Sequence, residues 1–301
     1  MSKLFQTQCL PCRLAVALWV IMGLYACSNE PIQGPDGYDM AAPAEREMGK
    51  VLTEISGLNF NTDSNTLLAI SDNEENIFEI NLRAEKLKDY AVNFYKKADF
   101  EDLVKIKDTV YVMISDGTLV AVPANGPLND SSVRAYPFWS QDKNDFESLY
   151  HDPEANGLIM LCKECEVEKG KKVRTAFKFD LATRQFDSSA FYTISQDSVE
   201  QLLKKDDADF KPSAAAIHPV EKRLYILASA GQLLVITDLQ GGVQEVYNLN
   251  PDTHPQAEGI AFSPAGTMYI SNEGKYGKAT LQVFPYKTKD KAATTKPKKG
   301  P

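Results

Sequence analysis

One phrase recurs through the chain, and the recurrence limits the fold more than any other feature. Its fullest copy is Gln256-Ala-Glu-Gly-Ile-Ala-Phe-Ser-Pro-Ala-Gly-Thr-Met-Tyr-Ile-Ser-Asn-Glu-Gly274: an acid, a short apolar strand, a turn, a second strand and a polar hairpin. Earlier copies pair Ser56-Gly-Leu-Asn-Phe with Leu67-Leu-Ala-Ile-Ser-Asp72, and Glu101-Asp-Leu-Val with Val110-Tyr-Val-Met-Ile-Ser-Asp116. Two more pair Glu147-Ser-Leu-Tyr with Leu158-Ile-Met-Leu-Cys162, and Ser213-Ala-Ala-Ala-Ile with Leu224-Tyr-Ile-Leu-Ala-Ser229. The copies begin at Ser56, Glu101, Glu147, Ser213 and Glu258, in steps of 45, 46, 66 and 45 residues. A period of about 45 is the length of one four-stranded propeller blade.

Strand signals fill each unit. Runs of β-branched, aromatic and leucine residues bounded by Asn, Asp, Gly or Pro occur four to a unit, as in Ile55–Phe60, Thr66–Ser71, Ile77–Leu82 and Asp89–Phe94. After the third unit, Gln196–Asp209 places Val199, Leu202 and Leu203 at helical spacing. A helical insertion there accounts for the long step. The fifth unit supplies only three strands, which would leave a bare sheet edge. Glu47–Thr53 is free to fill it. The expected fold is an all-β propeller over residues 47–287, with five four-stranded blades closed by an N-terminal strand. A sixth blade near the insertion is the alternative.

The two ends read differently. Lys3 and Arg13 precede an apolar run, Leu14–Ala26, too short to span a bilayer but suited to a secretory signal. Its end, Leu24-Tyr25-Ala26-Cys27, resembles the lipobox of bacterial lipoproteins. That resemblance implies cleavage before Cys27 and palmitate-type acyl chains at Cys27, which give a firm anchor. An ordinary signal ending near a cysteine is the other reading. The expected layout is a signal peptide over 1–26, a polar, Pro-rich tether over 27–46, and a basic disordered tail over 288–301. The location implied is the bacterial cell envelope, with the exported protein lipid-anchored to a membrane.

Glu54-Ile-Ser-Gly-Leu-Asn-Phe, Leu68-Ala-Ile-Ser-Asp72, Asp99-Phe-Glu-Asp-Leu, and Glu258-Gly-Ile-Ala-Phe with Met268-Tyr-Ile-Ser-Asn-Glu273 carry a family likeness. From Glu54 to about Tyr286 the chain resembles the SdiA-regulated (YjiK-like) family of bacterial envelope β-propellers. The resemblance implies a propeller of unsettled biochemical role. Ser213-Ala departs from it, standing where an acid and a glycine are expected.

In a propeller the first strand of each blade lines the central channel. Its start shares a face with the hairpin after the second strand, because two antiparallel strands return the chain to its starting side. Glu101, Glu147 and Glu258 should therefore meet at one channel mouth, with Asp99 and Asp145 beside them. Asp72, Asp116, Glu164, Asn272 and Glu273 should surround it as ligand-binding candidates. Crowded carboxylates raise one another's pKa unless a cation or hydrogen-bond donors compensate. Oxygen-only donors favour calcium or magnesium over zinc. Either Glu101, Glu147 and Glu258 hold a metal ion, calcium first, or another cationic ligand, or they accept backbone N–H groups from the next blade and cement the ring.

Other candidates are weaker. His218-Pro219 falls in the turn after the first strand, as Asp152-Pro153 and Ser263-Pro264 do; His151 lies next to a turn and His254 precedes Pro255. Cys162-Lys-Glu-Cys165 is a lone CxxC, open to a disulfide or two free thiols. No nucleophile elbow or phosphate-binding glycine loop is present. A net charge of −8 argues against a nucleic-acid partner. Two functions remain: an envelope module that binds a small ligand or another protein, or a calcium-dependent phosphoesterase by analogy with phytase-like propellers. Against the second, only Lys211 and Lys275 stand near the acidic positions in sequence.

Overall fold

The computed structural model describes residues 34–288, apart from Asn73, Glu85, residues 126–131 and Tyr276. The signal, Cys27 and all but the first residue of the basic tail lie outside the described residues. Strand β1 (Ala44–Glu47) comes first. Blade 1 is β2 (Ile55–Asn61), β3 (Thr66–Ser71), β4 (Ile77–Asn81) and β5 (Lys86–Ala91). Blade 2 is β6 (Phe100–Ile106), β7 (Thr109–Ile114), β8 (Leu119–Pro123) and β9 (Arg134–Tyr136). Blade 3 is β10 (Asn144–Asp152), β11 (Gly157–Cys165), β12 (Val173–Asp180), β13 (Gln185–Phe186) and β14 (Tyr192–Ser195), followed by helix α1 (Gln196–Leu203). Blade 4 is β15 (Ala214–Ile217), β16 (Leu224–Ala228), β17 (Leu233–Thr237) and β18 (Val243–Asn248); blade 5 is β19 (Ala257–Phe262), β20 (Met268–Asn272) and β21 (Thr280–Phe284).

Consecutive strands pair antiparallel within each blade, except that β14 pairs with β12, and the inner strands β2, β6, β10, β15 and β19 succeed one another around the ring. The core is divided among five apolar clusters, one at each junction between blades. Leu68, Ile70 and Phe100 lie between blades 1 and 2, and Leu58, Leu67 and Ala261 between blades 1 and 5. Five junctions close the circle, so the propeller has five blades and no sixth.

Closure is made by an N-terminal strand, displaced from its expected place. β1 pairs antiparallel with β21, Ala44 opposite Val283 and Glu47 opposite Thr280, as the outermost strand of blade 5. The expected Glu47–Thr53 overlaps β1 only at Glu47. Lys50–Leu52 is a 3-10 turn whose Leu52 is buried in the junction of blades 1 and 5. The packed chain also starts earlier than a tether over 27–46 allows. Met40 is buried between blades 4 and 5, and Tyr38 packs beside it. The Tyr38 hydroxyl donates to the Gly266 carbonyl at 2.5 Å and lies 2.7 Å from His218 Nε2. His218 Nδ1 accepts the amides of Val220 and Glu221, so the Nε2 proton points at Tyr38. That is the turn role expected of His218, at the end of the channel away from the acids.

The insertion is also smaller than expected. α1 spans eight residues, is capped where Ser195 Oγ accepts the Ser198 amide, and buries Val199 against blades 3 and 4. β14 takes up part of the extra length. It pairs with Val173–Ala176 of β12, while β13 pairs with Phe179 and Asp180, so two short strands together form the outer edge of blade 3.

Candidate functional site at the channel mouth

In every copy but that of blade 4, the first position of the repeated phrase is a β-bulge. In blade 1 Ile55 faces Ser71 and Gly57 faces Ile70, which leaves Ser56 unpaired. By the same offset Glu101 is extruded from β6, Glu147 from β10 and Glu258 from β19. A bulge leaves its extra residue out of the ladder and re-aims the side chain. Here it turns the acid out of a strand whose flanking residues are buried. The next residue is small or compact in every copy (Gly57, Asp102, Ser148, Ala214, Gly259), because the inner strands crowd there. A Cβ on Gly57 would stand 2.7 Å from Asp102 Oδ1 and 2.8 Å from its Cα.

The bonds that tie inner strands together are made beside the glutamates. Ser56 Oγ donates to the Phe100 carbonyl at 2.7 Å, and Ser213 Oγ to the Ala257 carbonyl at 2.8 Å. Asp102 accepts the amides of Leu103 and of Leu149 in the next blade, both at 2.8 Å. Ties of this kind are made by the serine copies and Asp102, and Glu258 joins them through its bond from Ser229 of blade 4.

Carboxylate oxygens of Glu101, Asp145 and Glu147 converge within 4.8 Å of one another. Burial pushes the Glu101 carboxyl up to about 10, helped by the charges of Glu147, Asp99 and Asp145 and opposed by Lys163. Burial raises Glu258 to about 8; Glu147 adds to this, and hydrogen bonds from Gln256 and Ser229 oppose it. Glu147 stands at about 7, where burial is held in check by Lys163. Burial would lower Lys163, but Glu147, Asp145 and Glu258 together raise it. The group behaves as one electrostatic unit centred on Glu147.

Lys163 is the residue that the sequence does not announce. It forms an ion pair with Glu147, and it is itself a bulge, because Asp145 faces Glu164 while Phe146 faces Cys162. Lys163, Lys211 and Lys275 line a pocket of about 340 Å³ together with Glu147 and Glu258. The acidic face therefore carries more base than sequence proximity shows.

The other candidates divide. The Glu273 carboxylate accepts from Gln256 beside Glu258, and burial raises it. Glu164 is exposed and lies 3.6 Å from Lys211. Asp72 is half-buried in the hairpin after β3, its amide bonded to the Glu54 carbonyl. Asp116 is exposed and caps the β7–β8 turn through the Thr118 amide. Asn272 is buried and donates to Thr280 Oγ1. Cys162 and Cys165 form a disulfide.

The fold has distant likenesses among solved structures. A luciferin-regenerating enzyme aligns with a TM-score of 0.50 at 13% identity, over 81% of this chain and 95% of that one. Regucalcin from Agrobacterium tumefaciens, a calcium-binding protein, aligns with a TM-score of 0.48 at 12% identity, over 81% and 96%. At such identities the likeness is one of fold alone. Comparison with curated proteins gives no match. The family model of SdiA-regulated proteins, by contrast, matches residues 33–275, nearly the whole propeller, and the chain belongs to the SdiA-regulated family.

Proposed function

We propose that this protein is a membrane-anchored binding module of the bacterial envelope, and that its channel mouth takes up a cationic ligand, with calcium first. The observation that carries the reading is the convergence of Glu101, Asp145 and Glu147 within 4.8 Å beside Glu258, with Lys163 as their paired base. A set of carboxylate oxygens suits a hard cation. Bound there, a divalent ion would supply the positive charge that these carboxyls otherwise obtain by holding protons.

The test is thermal unfolding with and without millimolar calcium or magnesium. A ligand of the native state raises Tm by mass action. The triple substitution Glu101→Gln, Glu147→Gln, Glu258→Gln should abolish that rise while leaving the fold intact. No rise in the unaltered protein would sink the cation reading. A triple variant more stable than the parent without metal would point to an organic cation or a partner's basic patch. A less stable one would make the acids part of the ring's cement.

A second reading, calcium-dependent phosphoester hydrolysis, draws support from Lys211 and Lys275 lining the same pocket as Glu147 and Glu258. Phosphate recognition needs such bases. Turnover of p-nitrophenyl phosphate that requires calcium and is lost in Lys211→Ala would favour it over binding alone.

A further inference from the structure

Blade 3 differs from the other blades at its mouth. In blades 1, 2 and 5 the bulge lies on the inner strand alone, facing a regular second strand. In blade 3 both strands are bulged, at Glu147 on β10 and at Lys163 on β11, and the two extruded side chains form the ion pair. An uninterrupted β11 would instead keep Lys163 in the ladder opposite β10. The residues that flank the second bulge in the ladder are Cys162, facing Phe146, and Glu164, facing Asp145. Cys165 then faces Asn144. The disulfide joins Cys162 to Cys165, across the bulge from one side to the other. Both cysteines are buried, Cys162 wholly so, with Phe146 and Phe177 in the junction of blades 2 and 3. The cross-link is thus rooted in the core, and it encloses Lys163 and Glu164, of which Lys163 is the extruded residue.

We propose that the Cys162–Cys165 disulfide is the positioning element of the channel mouth: it fixes the bulge that sets Lys163 on Glu147, and so sets how strongly the mouth takes up a divalent cation. The inference rests on the cation reading only for its second half. Lys163 is an internal counter-ion. An incoming cation must share or displace it to use the Glu147 oxygens. With the staple in place the ammonium is held at high local concentration beside Glu147. Without it, the bulge is free to relax, Lys163 spends time in solvent, and the carboxylates are left to an external ion.

The disulfide closes a very short loop, so in the loop-entropy picture its removal costs less stability than opening a long-loop disulfide would. Two double variants, Cys162→Ser with Cys165→Ser and Cys162→Ala with Cys165→Ala, guard against one of them folding poorly. The first readout needs no metal. Acetylation of Lys163 by acetic anhydride is followed by peptide mass spectrometry, with the exposed Lys222 of the β15–β16 turn as internal reference. Lys163 should react about fivefold faster in either variant, the size of a lost, partly exposed ion pair. Unchanged Lys163 reactivity in a folded variant overturns the positioning role, whatever calcium does.

The second readout is a calcium titration. Either variant should bind calcium about fivefold tighter, as should Lys163→Met, and combining them should add nothing further. Gains that add independently would mean that the disulfide acts elsewhere, and would overturn the link to Lys163. If no form binds calcium, the cation reading fails, and the lysine readout still decides the positioning role.

Discussion

Asp102 of β6 accepts the backbone amide of Leu149 in β10 at 2.8 Å, and only 3% of Asp102 is exposed. One side chain thereby stitches blade 2 to blade 3 directly behind the acidic mouth. Asp102→Ala would leave the buried Leu149 amide without its acceptor, at a cost of about 1–3 kcal/mol. Urea unfolding should show that loss. Ser56→Ala, which removes a half-exposed donor, should lose less. Equal losses would mean that Asp102 is not the stronger stitch.

The mouth should imprint a pH dependence on the metal-free protein. Glu147, Glu258 and Glu101 have folded-state values of about 7, 8 and 10, all above the ordinary glutamate value of 4.5. A raised carboxyl contributes stability that is full below the unfolded value and is lost as pH rises through the folded one. Chelator-treated protein should therefore gain Tm as pH is lowered from about 9 to about 7. Below the ordinary histidine value the slope should weaken. Burial lowers His218, and takes His254 to about 4. Both contribute stability that is present above the unfolded value of 6.5 and lost as pH falls towards the folded one. Glu101→Gln should flatten the alkaline limb. A limb just as steep in that variant would show that Glu101 does not hold a proton there.

Ring closure can be tested by truncation. Removing residues 34–47 strips β1 from β21, along with the Lys278–Glu47 ion pair and the Gln282–Glu45 hydrogen bond. It also removes Met40 from the core. Trimming residues 289–301 touches none of these. The first truncation should lower Tm by many degrees and the second hardly at all. Similar melting curves would argue that β1 is dispensable.

The sequence-based layout also predicts an anchor. Cys27→Ala should move the protein from the membrane to the soluble fraction, or leave its precursor uncleaved. Normal processing with full membrane retention would remove the lipoprotein reading.

The ring was legible because its signal is long-range: five copies of one phrase at nearly constant spacing. The closing strand was harder to place because β1, Ala-Glu-Arg-Glu, sits mostly exposed on the outer edge and carries no apolar alternation. The segment directly before the first copy is the nearest one free to close the ring, yet its Val51 and Leu52 pack as a turn. The acids at the mouth were legible because the phrase repeats them. Lys163 was not, because its place depends on a register shift in β11 that no periodicity reveals. The bulges leave only a faint trace, an apolar residue, then the acid or serine, then a compact residue. Asp116 and Asn272 share the repeat spacing of true mouth residues, but local bonding takes the first into a turn and the second into the interior.

Tyr38 is fastened at the end of the channel opposite the mouth, to His218 in the β15–β16 turn and to Gly266 in the β19–β20 turn. Between Cys27 and Tyr38 the chain can reach at most about 40 Å when fully stretched. If Cys27 carries the anchor, this stretch is a short leash tied to the floor of the ring. The ring's floor would then be held within about 40 Å of the bilayer, a tie that favours the mouth turned to the open compartment. Solutes would meet Glu258 and Lys275 without passing through the headgroup layer. A fluorophore at Lys275 should be quenched less by lipid-borne quenchers than one at Lys222 on the floor; equal quenching would mean that the leash does not orient the ring.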